Sequence, residues 1–409
     1  MISTRVRAGI AAILIFSPEL AAAQARPTVD CNVPASDAIL HVPVDGNPFT
    51  PIATPDGCWI FVTIARPNPR AEGGVVVMSR AAGKVSVRGK YPLRDSPTGA
   101  VLTHDGTVLI VTTGQGVAFL DVARLESGHG APELGYIETG NLRGTIFANV
   151  TRDDRLLFVS AENAHGIAVI DLVKARTNGY RTSAIVGAIP AGNAPIALTF
   201  SSDEHYLYST SQAAPPELKW PVTCTPEGSA PNSIAPTHSQ GAILVVDVAH
   251  AETDPEHSLV AAIPAGCNPV RLALSPGGDV LYATARGDNQ LLRFDATKLV
   301  ADPTHAMTGR VTVGTSPVGV AVFDDGKKIV VTNSNRFGPD ANEPQSLTVV
   351  DAAKFASGAD AVLGSIPAGA FPRELRVTAD GRTLLVANFL SKSLDLVELS
   401  RVQLRPVRR

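Results

Sequence analysis

Residues 266–284 read GCNPVRLALSPGGDVLYAT, in which a proline, an apolar run, a tight turn and a second apolar run follow one another. The phrase occurs seven times along the chain. In six copies the last turn residue lies nine positions after the proline. The third copy keeps that interval from Thr145 to Asp154 without a proline. The copies are GNPFTPIATPDG (46–57), DSPTGAVLTHDG (95–106), RGTIFANVTRDD (143–154), NAPIALTFSSDE (193–204), CNPVRLALSPGG (267–278), TSPVGVAVFDDG (315–326) and AFPRELRVTADG (370–381). Short β-branched runs joined by such turns predict antiparallel strand pairs.

Further apolar runs after each copy bring one repeat to four strands. The third strands end at an acid, and these acids are spaced 50, 76, 48, 56 and 47 residues apart: Asp121, Asp171, Asp247, Asp295, Asp351 and Glu398. A period near fifty with four strands per repeat is typical of a β-propeller. Each sheet has two apolar faces, and stacking the sheets in a closed ring covers both. The sequence therefore predicts an all-β, seven-bladed β-propeller.

The ends of the chain predict how the ring closes. After the run at 394–399 only an Arg-rich tail remains, so the last blade lacks its outer strand. The run AILHVPV at 38–44 precedes the first copy and can fill that place, which leaves no unpaired edge there. We predict one propeller domain over residues 26–400, with a basic C-terminal tail at 401–409.

The N-terminus has the features of a secretory signal. Arg5 and Arg7 precede an apolar run at 8–16, and a small-residue cleavage site follows at 23–25. The apolar run is about half of the ~20 residues that a membrane-spanning helix needs. We therefore predict a signal peptide over 1–25, no membrane span, and a periplasmic or secreted protein.

Four cysteines in an exported chain favour disulfides. Three pairings are possible, and the propeller topology selects one. Cys224, in the long loop 211–240, and Cys267, in the next blade crossing, both lie on the face that holds the crossings, which we call the top. Cys31 and Cys58 both lie at the opposite face, the bottom. We predict the pairs Cys31 with Cys58 and Cys224 with Cys267.

Composition excludes several classes of function. The chain has 35 Lys and Arg against 38 Asp and Glu, and aromatic residues make up 5%. This balance does not favour a nucleic-acid partner. Zinc-protease, Walker, nucleophile-elbow and dinucleotide motifs are missing from the sequence. We expect no cofactor and no metal.

The amino-acid sequences of two stretches resemble those of known propellers. VGTSPVGVAVFDDGKKIVVTN at 313–333 is similar to the repeat of the bacterial YVTN family of seven-bladed propellers. FPRELRVTADGRTLLVANFLSKSLDLVEL at 371–399 looks like the wider superfamily that contains the seven-bladed lactonases. The first resemblance implies the fold. The second implies a possible ring-opening hydrolase.

The second position after the repeat proline carries the clearest departures from the repeat. Across the copies it holds Thr50, Gly99, Phe147, Ala197, Arg271, Gly319 and Glu374. Arg271 and Glu374, with Arg373 beside them, could orient an anion or, in an enzyme, act as the catalytic set. Inter-blade ion pairs are the structural alternative.

Top loops supply further candidates for ligand binding, namely Arg143, His165, Arg286, Asn333 and Asn388. Two hypotheses remain open. The protein either binds a small anion, a glycan or a protein at its top face without catalysis, or it opens a lactone through the Arg/Glu cluster. In either case we expect a monomer whose small-molecule or protein ligand sits at the top face.

Overall fold

The structure, a computed structural model, describes residues 30–68, 70–228 and 238–406, so the predicted signal peptide lies outside the described residues. Seven four-stranded antiparallel sheets form the blades of a propeller, which confirms the predicted fold class. Blade 1 comprises β2 (Asn47–Ala53), β3 (Trp59–Ala65), β4 (Gly74–Ala81) and β5 (Lys84–Pro92). Blade 2 comprises β6 (Ala100–Leu102), β7 (Val108–Thr112), β8 (Gly116–Asp121) and β9 (Glu133–Glu138). Blade 3 comprises β10 (Thr145–Val150), β11 (Leu156–Ala161), β12 (Gly166–Asp171) and β13 (Ile185–Pro190).

The remaining blades repeat this order. Blade 4 comprises β14 (Asn193–Phe200), β15 (Tyr206–Ala213), β18 (Ala242–Asp247) and β19 (Leu259–Pro264), and its insertion adds the strand pair β16 (Val222–Cys224) and β17 (His238–Ser239). Blade 5 comprises β20 (Pro269–Leu274), β21 (Val280–Ala285), β22 (Gln290–Asp295) and β23 (Met307–Thr312). Blade 6 comprises β24 (Pro317–Phe323), β25 (Lys328–Asn333), β26 (Ser346–Asp351) and β27 (Val362–Pro367). Blade 7 comprises β28 (Pro372–Val377), β29 (Thr383–Asn388), β30 (Ser393–Glu398) and β1 (Ile39–Pro43).

Short helices follow the third strands of four blades. They are α1 (Val122–Ser127), α2 (Leu172–Asn178), α3 (Val248–Ala251) and α4 (Lys298–Ala301). Single 3-10 turns lie at Thr182–Ala184, Pro216–Leu218, Pro255–His257, Arg286–Asp288 and Pro303–His305, and a longer 3-10 segment at Phe355–Ala361 is kinked at Gly358. No helix in the described ranges is long and apolar enough to cross a membrane.

The ring closes as predicted. β1 pairs antiparallel with β30, from Ile39 opposite Val397 to Pro43 opposite Ser393. The tail beyond residue 400 also packs on the ring, because Arg405 forms a β-bridge with Ser365 on the outer strand of blade 6. The strand at Ile39–Pro43 and the segment at Arg405 are thus both held by the propeller.

The acids that end the third strands have a structural role in five blades. Asp121, Asp171 and Asp247 each accept the backbone N–H three residues later and so cap α1, α2 and α3. Asp295 and Asp351 accept backbone N–H groups two residues later. Glu398 differs, because it is buried and accepts from Arg80 of blade 1 and from the backbone of Ala35.

A hydroxyl in the second strand links neighbouring blades. Thr210 accepts the Ala197 N–H of its own blade (3.0 Å) and donates to the Val270 carbonyl of the next blade (3.1 Å). The same pair of bonds recurs at Thr284 and Thr332, and Ser160 supplies the bond to the next blade. These bonds satisfy backbone groups that the inner strands would otherwise bury unpaired.

Apolar cores lie between neighbouring blades. Ile110 and Phe119 of blade 2 share one core cluster with Val159 and Ile170 of blade 3. The near-continuous apolar runs of the strands follow from this arrangement, since both faces of each sheet are covered. The inner strands are left to line the central channel.

Both disulfides have the predicted connectivity. Cys31 is bonded to Cys58, with 4.8 Å between their Cα atoms, and Cys224 to Cys267, with 5.6 Å. The first ties the N-terminal segment to blade 1. The second ties the long insertion of blade 4 to the crossing that enters blade 5.

Candidate functional site

The central channel holds two groups of charged residues at different heights. The upper group, which we call the mouth, consists of three arginines and the phenylalanine rings beside them: Arg286, Arg336, Arg373, Phe49, Phe337, Phe371 and Phe389. The lower group consists of Arg271, Glu374 and Arg376 and lies farther toward the bottom face. In blade 7, Arg373 stands one place after the repeat proline and belongs to the mouth. Glu374, the next residue, belongs to the lower group.

Arg373 sits among aromatic rings. Its guanidinium carbon lies 3.9 Å from the ring centre of Phe49, 5.6 Å from that of Phe371 and 5.7 Å from that of Phe389. Such contacts hold a guanidinium through cation–π attraction. Its Nε is buried and has no hydrogen-bond partner in the described part of the chain.

Electrostatics at the mouth disfavour the charged form of Arg373. Burial lowers its pKa to about 9, and repulsion from Arg336 and Arg271 acts in the same direction, with a partial offset from Glu162. The pKa of Arg336 is also lowered, first by burial and then by Arg286. Neither Arg336 nor Arg373 forms an ion pair with a carboxylate among the described residues. The mouth therefore presents two partly buried guanidinium groups without direct counter-ions.

Arg286 has a different role. Its Nε donates to Glu227 Oε1 (2.6 Å) and its Nη2 to Glu227 Oε2 (2.5 Å), while Nη2 also donates to Gln212 Oε1 (3.0 Å). This two-point ion pair is the geometry that a guanidinium and a carboxylate favour. Glu227 belongs to the insertion of blade 4 and Gln212 to the end of β15, so the pair holds the insertion beside the mouth.

Arg271 and Glu374 form an inter-blade ion pair, the structural alternative considered above. Arg271 Nε donates to Glu374 Oε2 at 2.6 Å, and the two side chains belong to blades 5 and 7. The equivalent position of the intervening blade is Gly319. A Cβ there would lie 3.0 Å from the Arg373 carbonyl oxygen, a tight contact, so the close approach of the blade 7 strand favours glycine. Arg376 pairs with the other oxygen of Glu374.

The two arginines keep Glu374 ionised. Burial alone would raise its pKa, but the charges and hydrogen bonds of Arg271 and Arg376 together lower the pKa below its ordinary value. A carboxylate of this kind is a poor general acid and a weak general base near neutral pH. Both of its oxygens already accept hydrogen bonds.

Asn333 and Asn388 occupy equivalent framework positions. Asn333 Oδ1 accepts the Gly314 N–H (3.0 Å), and Asn388 Oδ1 accepts the Gly369 N–H (3.1 Å). Their amide nitrogens donate to hydroxyls within the same blades. Because both amides are buried and fully engaged, the site proposed below does not use them as ligands.

The two remaining sequence candidates lie apart from the arginines. Arg143 is exposed in the crossing into blade 3. His165 is exposed, has a φ of +54°, and borders an apolar groove beneath the insertion that contains Trp220. Within the described ranges, no group of three His, Cys, Asp or Glu side chains is placed to hold a metal ion.

Sequence reasoning missed several members of the mouth. Arg336, Phe49 and Phe389 were not among the predicted site residues. A usable signal stands one place after the repeat proline, where the copies carry Phe49, Thr98, Ile146, Ile196, Val270, Val318 and Arg373. Arg373 is the charged residue in that row. Arg336 lies in a variable loop, and no repeat position marks it.

Comparison with known proteins supports the fold. No family model and no curated protein matches the chain. Among solved structures, a chain of the Kuenenia stuttgartiensis hydrazine synthase has a TM-score of 0.63 at 16% identity, over 88% of this chain and 98% of that chain. A chain from a crystal structure of the mitotic checkpoint complex has a TM-score of 0.61 at 16% identity, over 97% and 99%. At this identity the likeness concerns the fold alone.

Proposed function

We propose that the protein is an exported YVTN-type β-propeller that binds a small carboxylate ligand at its top mouth without catalysis. Arg336 and Arg373 are the proposed binding groups. The observation that carries the proposal is the buried Nε of Arg373, which has no partner among the described residues and lies near a second guanidinium that lacks an ion pair.

The chemistry of the mouth fits a carboxylate attached to an apolar body. A bound carboxylate would accept from the unsatisfied guanidinium nitrogens and offset the repulsion between Arg336 and Arg373. Phe371 lies against both arginines, with ring-centre distances of 5.7 Å to Arg336 and 5.6 Å to Arg373. The exposed ring of Phe337, 4.6 Å from Arg336, adds apolar surface at the rim.

The family and compartment rest on separate grounds. The repeat wording and the seven blades support a YVTN-type protein. Two disulfides are typical of an oxidising compartment, and the N-terminal sequence pattern supports export to the periplasm or beyond.

Lactone hydrolysis is the second candidate. It would use Arg271, Arg373 and Glu374, with Glu374 as acid or base. The two ion pairs of Glu374 and its lowered pKa argue against that role, so we rank binding first.

The test is isothermal titration with a panel of aromatic and aliphatic carboxylates, each paired with its neutral amide. We expect carboxylates to bind and amides to bind at least tenfold more weakly, since a charged hydrogen bond contributes about 1.5–3 kcal/mol. Arg373→Met should weaken binding by about 10- to 100-fold, whereas Arg143→Met, a change of an exposed top-face arginine, should leave it unchanged. Equal affinity for the amides, or turnover of a lactone panel that Glu374→Gln abolishes, would overturn the proposal.

A further inference from the structure

A separate cavity of about 230 Å³ lies in the lower half of the channel. The inner strands of all seven blades contribute to its wall. One side carries Arg271, Glu374 and Arg376, which are its ionisable residues in the described part of the chain. The rest of the wall includes the apolar residues Ile52, Val101 and Val320.

Arg271 leaves a hydrogen-bond donor unused in this cavity. The residue is only 3% exposed, and its Nη2 has no partner among the described residues. Its Nε is bonded to Glu374, and its Nη1 makes only a long contact of 3.5 Å with the Val270 carbonyl. A buried donor without an acceptor is costly, so an acceptor in the cavity would stabilise this arrangement.

The charges of the lower group do not cancel. Two guanidinium groups face one carboxylate, which leaves a net charge of +1 in the cavity. One further negative charge would balance it, whereas a dianion would exceed it and would also meet the repulsion of Glu374. The side chain of Arg376 is 33% exposed, so the cavity has a connection to solvent at that residue.

We infer that this cavity is a second ligand site, for a short-chain monocarboxylate of about two to four carbons. One carboxylate oxygen accepts from Arg271 Nη2, and the alkyl end packs on Val101 and Val320. Since each water takes ~30 Å³ of liquid volume, the cavity has room for roughly seven non-hydrogen atoms, and butyrate has six. This site does not depend on the proposed function of the mouth.

Phe147 also fits this inference. Its ring centre lies 4.7 Å from the guanidinium carbon of Arg271 and 5.3 Å from that of Arg376. The ring therefore holds both cations in place from one side and leaves their unused nitrogens available to an anion.

The experiment measures the thermal midpoint of the full mature chain with sodium butyrate, with butyramide and with sodium sulfate, at matched ionic strength. Saturating butyrate should raise Tm by about 2–3 °C over the sodium chloride reference. Butyramide should not. Saturation-transfer NMR on the same samples should show contact between the butyrate methyl groups and the protein.

Three variants locate the effect. The double variant Arg271→Met/Glu374→Gln removes the unused donor and leaves no unpaired carboxylate, and it should lose the butyrate shift. Val101→Phe fills the apolar side without touching a charge and should lose it as well. Arg336→Met at the mouth can remove only a contribution from the mouth, so the part of the shift that depends on Arg271 and Val101 should remain.

Each alternative result is decisive. An equal shift with butyramide would show that the carboxylate charge is not recognised, and no shift and no saturation transfer with butyrate would mean that only water fills the cavity; either result overturns the inference. A larger shift with sulfate would contradict the monoanion preference. A shift lost in Arg336→Met but retained in the other two variants would move the ligand to the mouth and refute the second site.

Discussion

Glu398→Gln should destabilise the protein by about 3–5 kcal/mol, because it breaks a buried ion pair at the point where the ring closes. Glu398 is 1% exposed and Arg80 is 3% exposed, and their N–O distance is 3.3 Å. Glu398 also accepts from the Thr383 hydroxyl and from the Ala35 N–H. The neutral amide would leave the Arg80 charge buried without a counter-ion.

The measurement is urea-induced unfolding followed by circular dichroism, with the change in unfolding free energy taken at constant m-value. The matched control is Asp351→Asn, the same repeat position in blade 6. Asp351 is half-buried and accepts only backbone N–H groups, which asparagine can also do, so we expect a change below about 1 kcal/mol.

A double variant tests the cause. Arg80→Met/Glu398→Gln removes the stranded charge and fills its place with an apolar side chain, so it should recover more than half of the loss. The reasoning is refuted if Glu398→Gln costs no more than Asp351→Asn, or if the double variant is less stable than the single one.

Three further outcomes follow from the same structure. Thr210→Val leaves the Ala197 N–H unpaired and the Val270 carbonyl with only its long contact to Arg271 Nη1, and it should cost about 1–3 kcal/mol in urea unfolding, whereas Thr210→Ser should cost under about 1 kcal/mol. Replacing Cys31 and Cys58 together by serine opens a loop with a sequence separation of 27 residues and should lower the unfolding free energy by about 3–4 kcal/mol, with earlier proteolysis of the N-terminal strand as the second readout. Carboxylate affinity at the mouth should fall as pH rises through about 9, because Arg373 then loses the proton that makes it a cation; a flat titration profile from pH 7 to 10.5 would contradict this.

The fold could be predicted because the repeat positions have framework roles that reappear in most blades. The interval between proline and turn marks the length of the inner strand, and the acids of the third strands cap the turns that follow. The vacancy in the last blade and the spare run at 38–44 were both visible in the sequence, and β1 fills that vacancy. Local bonding that recurs along the chain gives a strong repeat signal in a single sequence.

The site was harder, because its contacts join segments that are far apart along the chain. Arg271 and Glu374 were found as departures from the repeat, yet their direct pairing across 103 residues depends on the ring geometry. The pairing of Arg286 with Glu227 of the insertion had no repeat to mark it. The sequence placed Asn333 and Asn388 among the polar residues of the top loops. In the structure both side chains accept backbone N–H groups of the blade crossings. The position of a residue in the repeat predicts the face of the ring on which it lies, but it does not predict the residue that its side chain contacts.

Blade 7 departs from the other blades in a way that connects framework and site. At the first and second positions after the repeat proline it carries the charged residues Arg373 and Glu374. Its second strand has Ala387 at the position where the other blades have the linking hydroxyl. The blade 7 and blade 1 junction is instead held by the Arg80 pair with Glu398 and by Asn47, whose amide donates to the Phe389 carbonyl at 2.8 Å. Bonds between the third strands and at the rim thus replace the inner bond. At the inner part of the same junction the ring centre of Phe49 lies 3.9 Å from the guanidinium carbon of Arg373, so the two blades that close the ring also form one wall of the mouth.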